Sequence, residues 1–298
     1  MTDKFGGEWT ELKLKILKDY LIPYSKIFDK NPKAQKLNTI YVDAFAGSGH
    51  RLLSHPKTNA APSLFSDDTE ADDKEFTEYL KGSAQIALEV EPGFQQYLFI
   101  EQSKSKVKEL EKFKNNFKSK ENRITIIQGD ANACLDKFCA ETNWDNHRAV
   151  VFLDPYGMQV EWSVIEKLGQ TEAIDLWWLF PFGMGVVRLL TKDKNPPKEW
   201  EDALTRIFGT DEWRKAFYSQ TKDLTLFGDK EKSKRDADFN SISKFVLKRL
   251  KIAFHAVAKN SKILRNSKNA PMYLLCFAVG NPRAAKTAIN IAEDILGR

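Results

Sequence analysis

The sequence predicts an α/β fold in which a mostly parallel sheet is covered by helices on both faces. Three observations predict it. Strand-like and helix-like segments alternate over roughly the first 180 residues. The strand-like runs are short and apolar, as expected of strands buried on both faces. Four of them end in an acid: Asp43, Glu101, Asp130 and Asp154.

The elements follow in order within one domain spanning 1–298. Trp9, Leu12, Ile16 and Tyr20 recur at spacings of three and four, which predicts an amphipathic N-terminal helix over 8–30, bent near Pro23. "NTIYVDAFAG" reads as a buried strand ending at a glycine turn. Residues 51–81 have loop composition and an acidic cluster from Asp67 to Glu75, so they read as a solvated insertion or as a lid over a ligand. "GSAQIALEV" predicts a helix with Ser83 as N-cap. "FQQYLFIE" is the second strand. In the helix that follows, Val107, Leu110, Phe113 and Phe117 share one face and lysines fill the other. "RITIIQGDAN", "RAVVFLDPYG" and "EAIDLWWLFPFG" are strands three to five, with a short helix at "LDKFC".

From about 184 to 240 the chain becomes aromatic and turn-punctuated, which predicts a small helical insert. Within it, Trp200, Trp213 and Phe217 suit stacking on bases, but at helical spacing they read more readily as core. The remainder, 241–298, holds a long helix, strands around "FHAVAK" and "PMYLLCFAVG" joined by a polar loop "NSKILRNSKNA", and a final helix.

Composition narrows the function classes. Hydrophobic residues make up 42% and charged residues 29% of 298, ordinary for a globular protein. The net charge of +5 permits a polyanionic partner without demanding one. Cys134, Cys139 and Cys276 form no CxxC pair and the four histidines are scattered, so no metal site and no disulfide framework is expected. Reduced thiols and a polar N-terminus predict a cytoplasmic protein without a signal peptide. "AIDLWWLFPFGMGVV" is the most apolar stretch, but it falls short of the ~20 residues that span a membrane.

In open α/β sheets, ligands bind beyond the carboxyl ends of the strands, so acids at successive strand ends converge on one crevice. Each acid alone is as readily a helix N-cap. The turn Asp43-Ala44-Phe45-Ala46-Gly47-Ser48-Gly49 reads D-x-F-x-G-x-G. It has neither the third glycine of dinucleotide folds nor the GK[ST] of a triphosphate loop. Gly47 and Gly49 let a ligand approach the backbone. Glu101 is suited to ribose hydroxyls, Asp130, with Ala131 beside it, to an exocyclic amine, and Asp43 to an ammonium or sulfonium. Together they describe a site for S-adenosylmethionine. At Asp154-Pro155-Tyr156-Gly157, a carboxylate and the proline carbonyl offer adjacent acceptors for an amine, and the ring of Tyr156 offers a stacking surface. The plainer reading is that Asp154-Pro155 only starts a loop.

The chain resembles the three-Cys-motif partner (TcmP) proteins through "EWTELKLKILKDYLIPY", "YVDAFAGSG", "GSAQIALE", "YLFIE", "GDAN", "FLDPYG" and "YLLCFAVGNPRAA". The resemblance implies a class I methyltransferase-like, Rossmann-like fold: seven strands, the last antiparallel. It implies cofactor contacts at Asp43, Phe45, Gly47, Gly49, Glu101 and Asp130, and a partner protein bearing three cysteines. DPYG departs from the DPPY of adenine and cytosine amino-methyltransferases and is nearer the DPFG of tRNA guanine-N2 methyltransferases.

Two functions of different class remain. One is a methyltransferase acting on a nucleic acid base or a partner-bound substrate, with Asp154, Pro155 and Tyr156 at the acceptor. Cations from Lys230 to Lys268 are then available to a phosphate backbone. The other is a non-catalytic adaptor that keeps the fold and binds a partner protein or nucleic acid. A dinucleotide-dependent enzyme is disfavoured by the glycine pattern.

Overall fold

The computed structural model describes residues 8–52, 79–191, 196–225, 228–235 and 237–298. In chain order, α1 (Glu8–Lys30) leads to β1 (Asn38–Asp43), a pair of short strands β2 (His50–Leu52) and β3 (Tyr79–Lys81), and α2 (Ser83–Glu89). Then come β4 (Gln96–Glu101), α3 (Lys104–Lys114), β5 (Ile124–Gln128), α4 (Ala131–Glu141), β6 (His147–Leu153), α5 (Trp162–Gln170) and β7 (Ile174–Phe180). Three further helices, α6 (Val187–Leu189), α7 (Lys198–Phe208) and α8 (Trp213–Phe217), precede a hairpin of β8 (Tyr218–Thr225) and β9 (Gly228–Arg235). The chain closes with α9 (Phe239–Ala253), β10 (Ala256–Val257), β11 (Lys262–Arg265), β12 (Pro271–Val279) and α10 (Ala285–Gly297).

The main sheet runs β10-β12-β7-β6-β1-β4-β5, with β11 also paired to β12, eight strands in all. Strands β5, β4, β1, β6 and β7 are mutually parallel, whereas β12 runs antiparallel to β7. The chain builds outward from β1 through β4 to β5, then returns to place β6 on the other side of β1. That reversal is the switch point at which open α/β sheets bind ligands.

Both faces are covered, because successive side chains on a buried strand point to opposite sides. On β7, Trp177 packs with the cluster under α1, α2, α3 and α10, and Trp178 with the cluster under α4, α5, α7, α8 and α9. α1 continues through Pro23 and buries Ile16, Leu17, Tyr20 and Leu21. Tyr20 donates to Asp175 Oδ2 at 2.6 Å inside this layer.

The structure departs from the sequence reading at several elements. The insert expected to be helical also contains the β8–β9 hairpin, whose polar, lysine-rich strands carry no apolar alternation to announce them. The polar loop "NSKILRNSKNA" contains β11, an edge strand in which Ile263 and Leu264 are the apolar residues. "FHAVAK" forms only two strand residues. The "LDKFC" helix extends to eleven residues. Gly82, not Ser83, caps α2. Phe117 leaves the helical face, because α3 gives way after Lys114 to a tighter 3₁₀ turn. Trp213 and Phe217 are core, while Trp200 is exposed. The predicted lid lies outside the described residues except for β2 and β3.

Candidate functional site

The carboxyl end of β1 enters a turn pinned at each step. Ala44 N donates to Phe152 O, Ala46 N to Ile100 O, and Gly47 N to Glu101 Oε2 at 2.9 Å. The second carboxylate oxygen of Glu101 accepts from Ser103 N at 2.8 Å. One acid thus ties the β1 turn to the start of α3. Gly47 and Gly49 both have positive φ, 63° and 81°. Their surroundings differ. Among the described residues a Cβ on Gly47 meets nothing within 4 Å, whereas one on Gly49 stands 2.8 Å from both Leu110 Cδ1 and Phe113 Cδ1. Gly49 therefore lets α3 pack on the turn, and Gly47 leaves backbone bare toward open space.

A cavity of about 960 Å³ opens over the carboxyl ends of β1, β4 and β5. Its wall includes Phe45, Glu101, Asp130 and Ala131, the first residues of α3, Tyr156, Gln159, Glu161 and Arg206. Asp130 caps α4 by accepting from Ala133 N at 3.0 Å through Oδ1. Asn132 clamps the loop after β6 to α4: its amide donates to Gln159 O and its carbonyl accepts from Glu161 N, both at 2.9 Å. Gln159 Oε1 in turn accepts from Tyr156 N at 3.0 Å. The Tyr156 ring, 73% exposed, stands at the rim with the Lys106 ammonium 5.2 Å from its centroid.

The four strand-end carboxylates do not share one rim. Glu101 and Asp130 line the cavity; Asp43 and Asp154, with Pro155, Gly47 and Gly49, are not among its lining residues. The division follows the strand and not the pleat, because the register of Asp43 with Phe99 puts Glu101 at the same parity as Asp43. Tyr41 and Asp43 share a face of β1, and Phe152 and Asp154 continue that face on β6, toward α1. There Asp154 forms an ion pair with Lys13 of α1, and the lysine side chain is only 6% exposed. Trp9 stacks on Tyr273 with centroids 5.3 Å apart, and the Lys13 ammonium lies 5.1 Å from the Trp9 ring.

Asp43 is fully buried and its Oδ1 accepts from Phe45 N at 3.2 Å, while Oδ2 has no hydrogen-bond partner. Burial pushes its carboxyl up to about 7, with Asp154 adding to the rise and Ser83, the Phe45 N–H and Lys13 opposing it. Burial likewise pushes Tyr41 well up, reinforced by Asp43 and Asp154.

Sequence reasoning missed Lys13, Asn132 and Gln159. Lys13 had a signal, since it interrupts the apolar face carrying Trp9, Ile16 and Tyr20. Asn132 and Gln159 had none. The late basic run does not supply the cavity's cations, which are Lys104, Lys106, Lys108 and Arg206. Arg235 and Arg249 instead donate to the backbone carbonyls of Leu190 and Phe208. The side chains of Lys230, Lys232 and Lys234 lie outside the description. Among the described residues no His, Cys, Asp or Glu cluster could hold a metal, and no helix is long and apolar enough to cross a membrane.

The strand order, with one antiparallel strand between β7 and its outer neighbours, is that of the Rossmann-like methyltransferase fold. No family model and no curated protein matches the chain. Solved structures do. One is protein LPL1258 from Legionella pneumophila, at 15% identity, 83% of this chain, 93% of the other and TM-score 0.41. Another is an S-adenosylmethionine-dependent methyltransferase from Clostridium acetobutylicum, at 12%, 90%, 92% and 0.35. A third is the glycopeptide N-methyltransferase MtfA complexed with S-adenosyl-L-homocysteine, at 10%, 88%, 89% and 0.32. At such overlap the fold assignment rests on the strand order itself.

Proposed function

We propose that this chain binds S-adenosylmethionine across the β1 turn and transfers its methyl group to a nitrogen of a nucleic acid base or partner-bound substrate. The observation that carries the reading is the bare Gly47 backbone beside a cavity whose rim bears Glu101 and Asp130. The volume falls within the ~300–1,000 Å³ of small-molecule sites. The donors and acceptors fit the cofactor's chemistry. Glu101, already oriented by two backbone amides, has lone pairs left for ribose hydroxyls, and the second oxygen of Asp130 is open to an exocyclic amine. Phe45 and Ala131 supply apolar wall, and Asp43, buried behind the wall residue Ala44, is the acid assigned to the cationic tail.

The cofactor supplies an electrophilic methyl on a sulfonium. The chain's own task is then alignment more than acid–base chemistry. Tyr156 offers an exposed ring to a flat acceptor, with Lys106 beside it for a phosphate or other anion. Asp154 and the Pro155 carbonyl accept hydrogen bonds from the acceptor amine and hold its lone pair toward the methyl carbon. A partner protein carrying three cysteines, as the TcmP resemblance implies, would present the substrate.

One observation favours an adaptor instead: Asp154 is already neutralised by Lys13. Calorimetry with S-adenosylmethionine and NADH, followed by transfer of radiolabelled methyl to fractionated cell extract, separates the readings. Binding with labelled product supports the enzyme; binding without any product in RNA, DNA or protein supports the adaptor. Absence of S-adenosylmethionine and S-adenosylhomocysteine binding refutes the cofactor assignment.

A further inference from the structure

A second polar cluster lies beneath the turn, facing α1 rather than the cavity. Among the described residues Asp43 Oδ2 and Tyr41 Oη are buried there without hydrogen-bond partners, although the Ser83 hydroxyl bonds to the Asp43 carboxylate, and on α1 the buried Thr10 Oγ1 is likewise unpartnered. Buried polar atoms are nearly always satisfied, so such a group marks a place where another molecule completes the bonding. The cluster also holds an ammonium, Lys13, whose one ion-pair partner among the described residues is Asp154, and the Asp154 side chain is still 22% exposed. Its contents are therefore a carboxylate met by the Phe45 N–H and the Ser83 hydroxyl with capacity left, the unmet Tyr41 hydroxyl and an ammonium with donors to spare. A free α-amino acid end is the complement of that set: its ammonium suits Asp43 and its carboxylate suits Lys13.

We propose that Lys13 exchanges partners: it holds Asp154 in the ligand-free chain and turns to the carboxylate of the cofactor's amino acid end when that end enters. This deepens the methyltransferase reading and rests on it. The exchange frees Asp154 at the moment the methyl donor is in place. The Asp154–Lys13 pair thus ceases to be an obstacle to acceptor binding and becomes the device that orders it: cofactor first, acceptor second. A lysine suits the task because its ammonium is a point charge on a flexible stem, able to swing between two anions without a bidentate geometry to break. Lys13 is in this sense a positioning residue for Asp154.

The test is calorimetry on the full chain with two nucleosides. S-Adenosylhomocysteine has the amino acid end; 5′-methylthioadenosine lacks it. In the wild type the former binds more tightly. Lys13→Met weakens S-adenosylhomocysteine by about tenfold or more, the scale of one lost charge-assisted hydrogen bond, and leaves 5′-methylthioadenosine unchanged. Lys13→Arg retains most of the affinity. Asp154→Asn tightens S-adenosylhomocysteine, because Lys13 no longer leaves an anion to reach it. A merely structural ion pair predicts the opposite sign for Asp154→Asn. The double variant Lys13→Met/Asp154→Asn removes both charges together, which keeps the fold while S-adenosylhomocysteine stays weak. The exchange is overturned if Lys13→Met spares S-adenosylhomocysteine or weakens both nucleosides equally, if Asp154→Asn loosens it, or if the wild type binds both alike. If the wild type binds neither, the cofactor reading falls and takes the exchange with it.

Discussion

Gly47 and Gly49 stand two residues apart, share a left-handed backbone, and should fail in different ways. Placing a Cβ at either position costs about 1–2 kcal/mol, because that conformation presses Cβ toward the following carbonyl. At Gly47 nothing further is added, since open space lies where the methyl would go. At Gly49 the methyl meets Leu110 and Phe113 at 2.8 Å each, and both are buried core residues of α3. Overpacking of that kind costs a further ~1–3 kcal/mol. Gly49→Ala should therefore lose about 2–5 kcal/mol of stability against about 1–2 for Gly47→Ala. Urea unfolding followed by circular dichroism measures the two losses. Calorimetry with S-adenosylhomocysteine measures the complement: Gly47→Val puts bulk into the open space and should abolish binding while the protein stays folded. Equal destabilisation by the two alanines would refute the packing argument. Full affinity in Gly47→Val would refute the placement of the ligand.

Other residues give independent checks. Glu101→Gln keeps an acceptor for only one of the two backbone N–H groups and turns an NH2 on the other, and should weaken S-adenosylhomocysteine by roughly 1–3 kcal/mol; calorimetry showing no change would mean that the ribose is not held there. Tyr156→Ala touches an exposed ring, so the melting temperature should hold to within the shift expected of ~0.5 kcal/mol while methyl transfer to the acceptor falls. Burial raises the carboxyls of Asp43 and Asp175 to about 7, above their unfolded values. A carboxyl raised on folding contributes stability that is fully present below its unfolded pKa and is lost as pH rises through about 7. Asp175→Asn should therefore flatten the decline in urea midpoint between pH 5.5 and 7.5, and parallel profiles for wild type and variant would sink that account.

How much of this was legible beforehand differs from element to element. β1, β4, β6 and β7 were legible because each is a largely apolar run buried on both faces, and the edge strand β5 because of its isoleucines. β8, β9 and β11 were not, because polar edge and hairpin strands carry no periodic apolar signal. Strand ends alone marked Glu101 and Asp130 as candidates, and the structure puts both on the cavity wall.

The amino-acid order by itself determined the alternation of strands and helices, the glycine turn and the acids at the strand ends, since these depend on local periodicity and local backbone freedom. Only the tertiary structure decided which way each acid points. Asp43 and Glu101 have the same parity on paired strands, yet Asp43 is buried near Lys13 of α1 while Glu101 reaches the cavity wall. Pairing Lys13 with Asp154 joins residues 141 apart in the chain, and no spacing rule reaches that far. It arises from the packing of one helix on one face of the sheet.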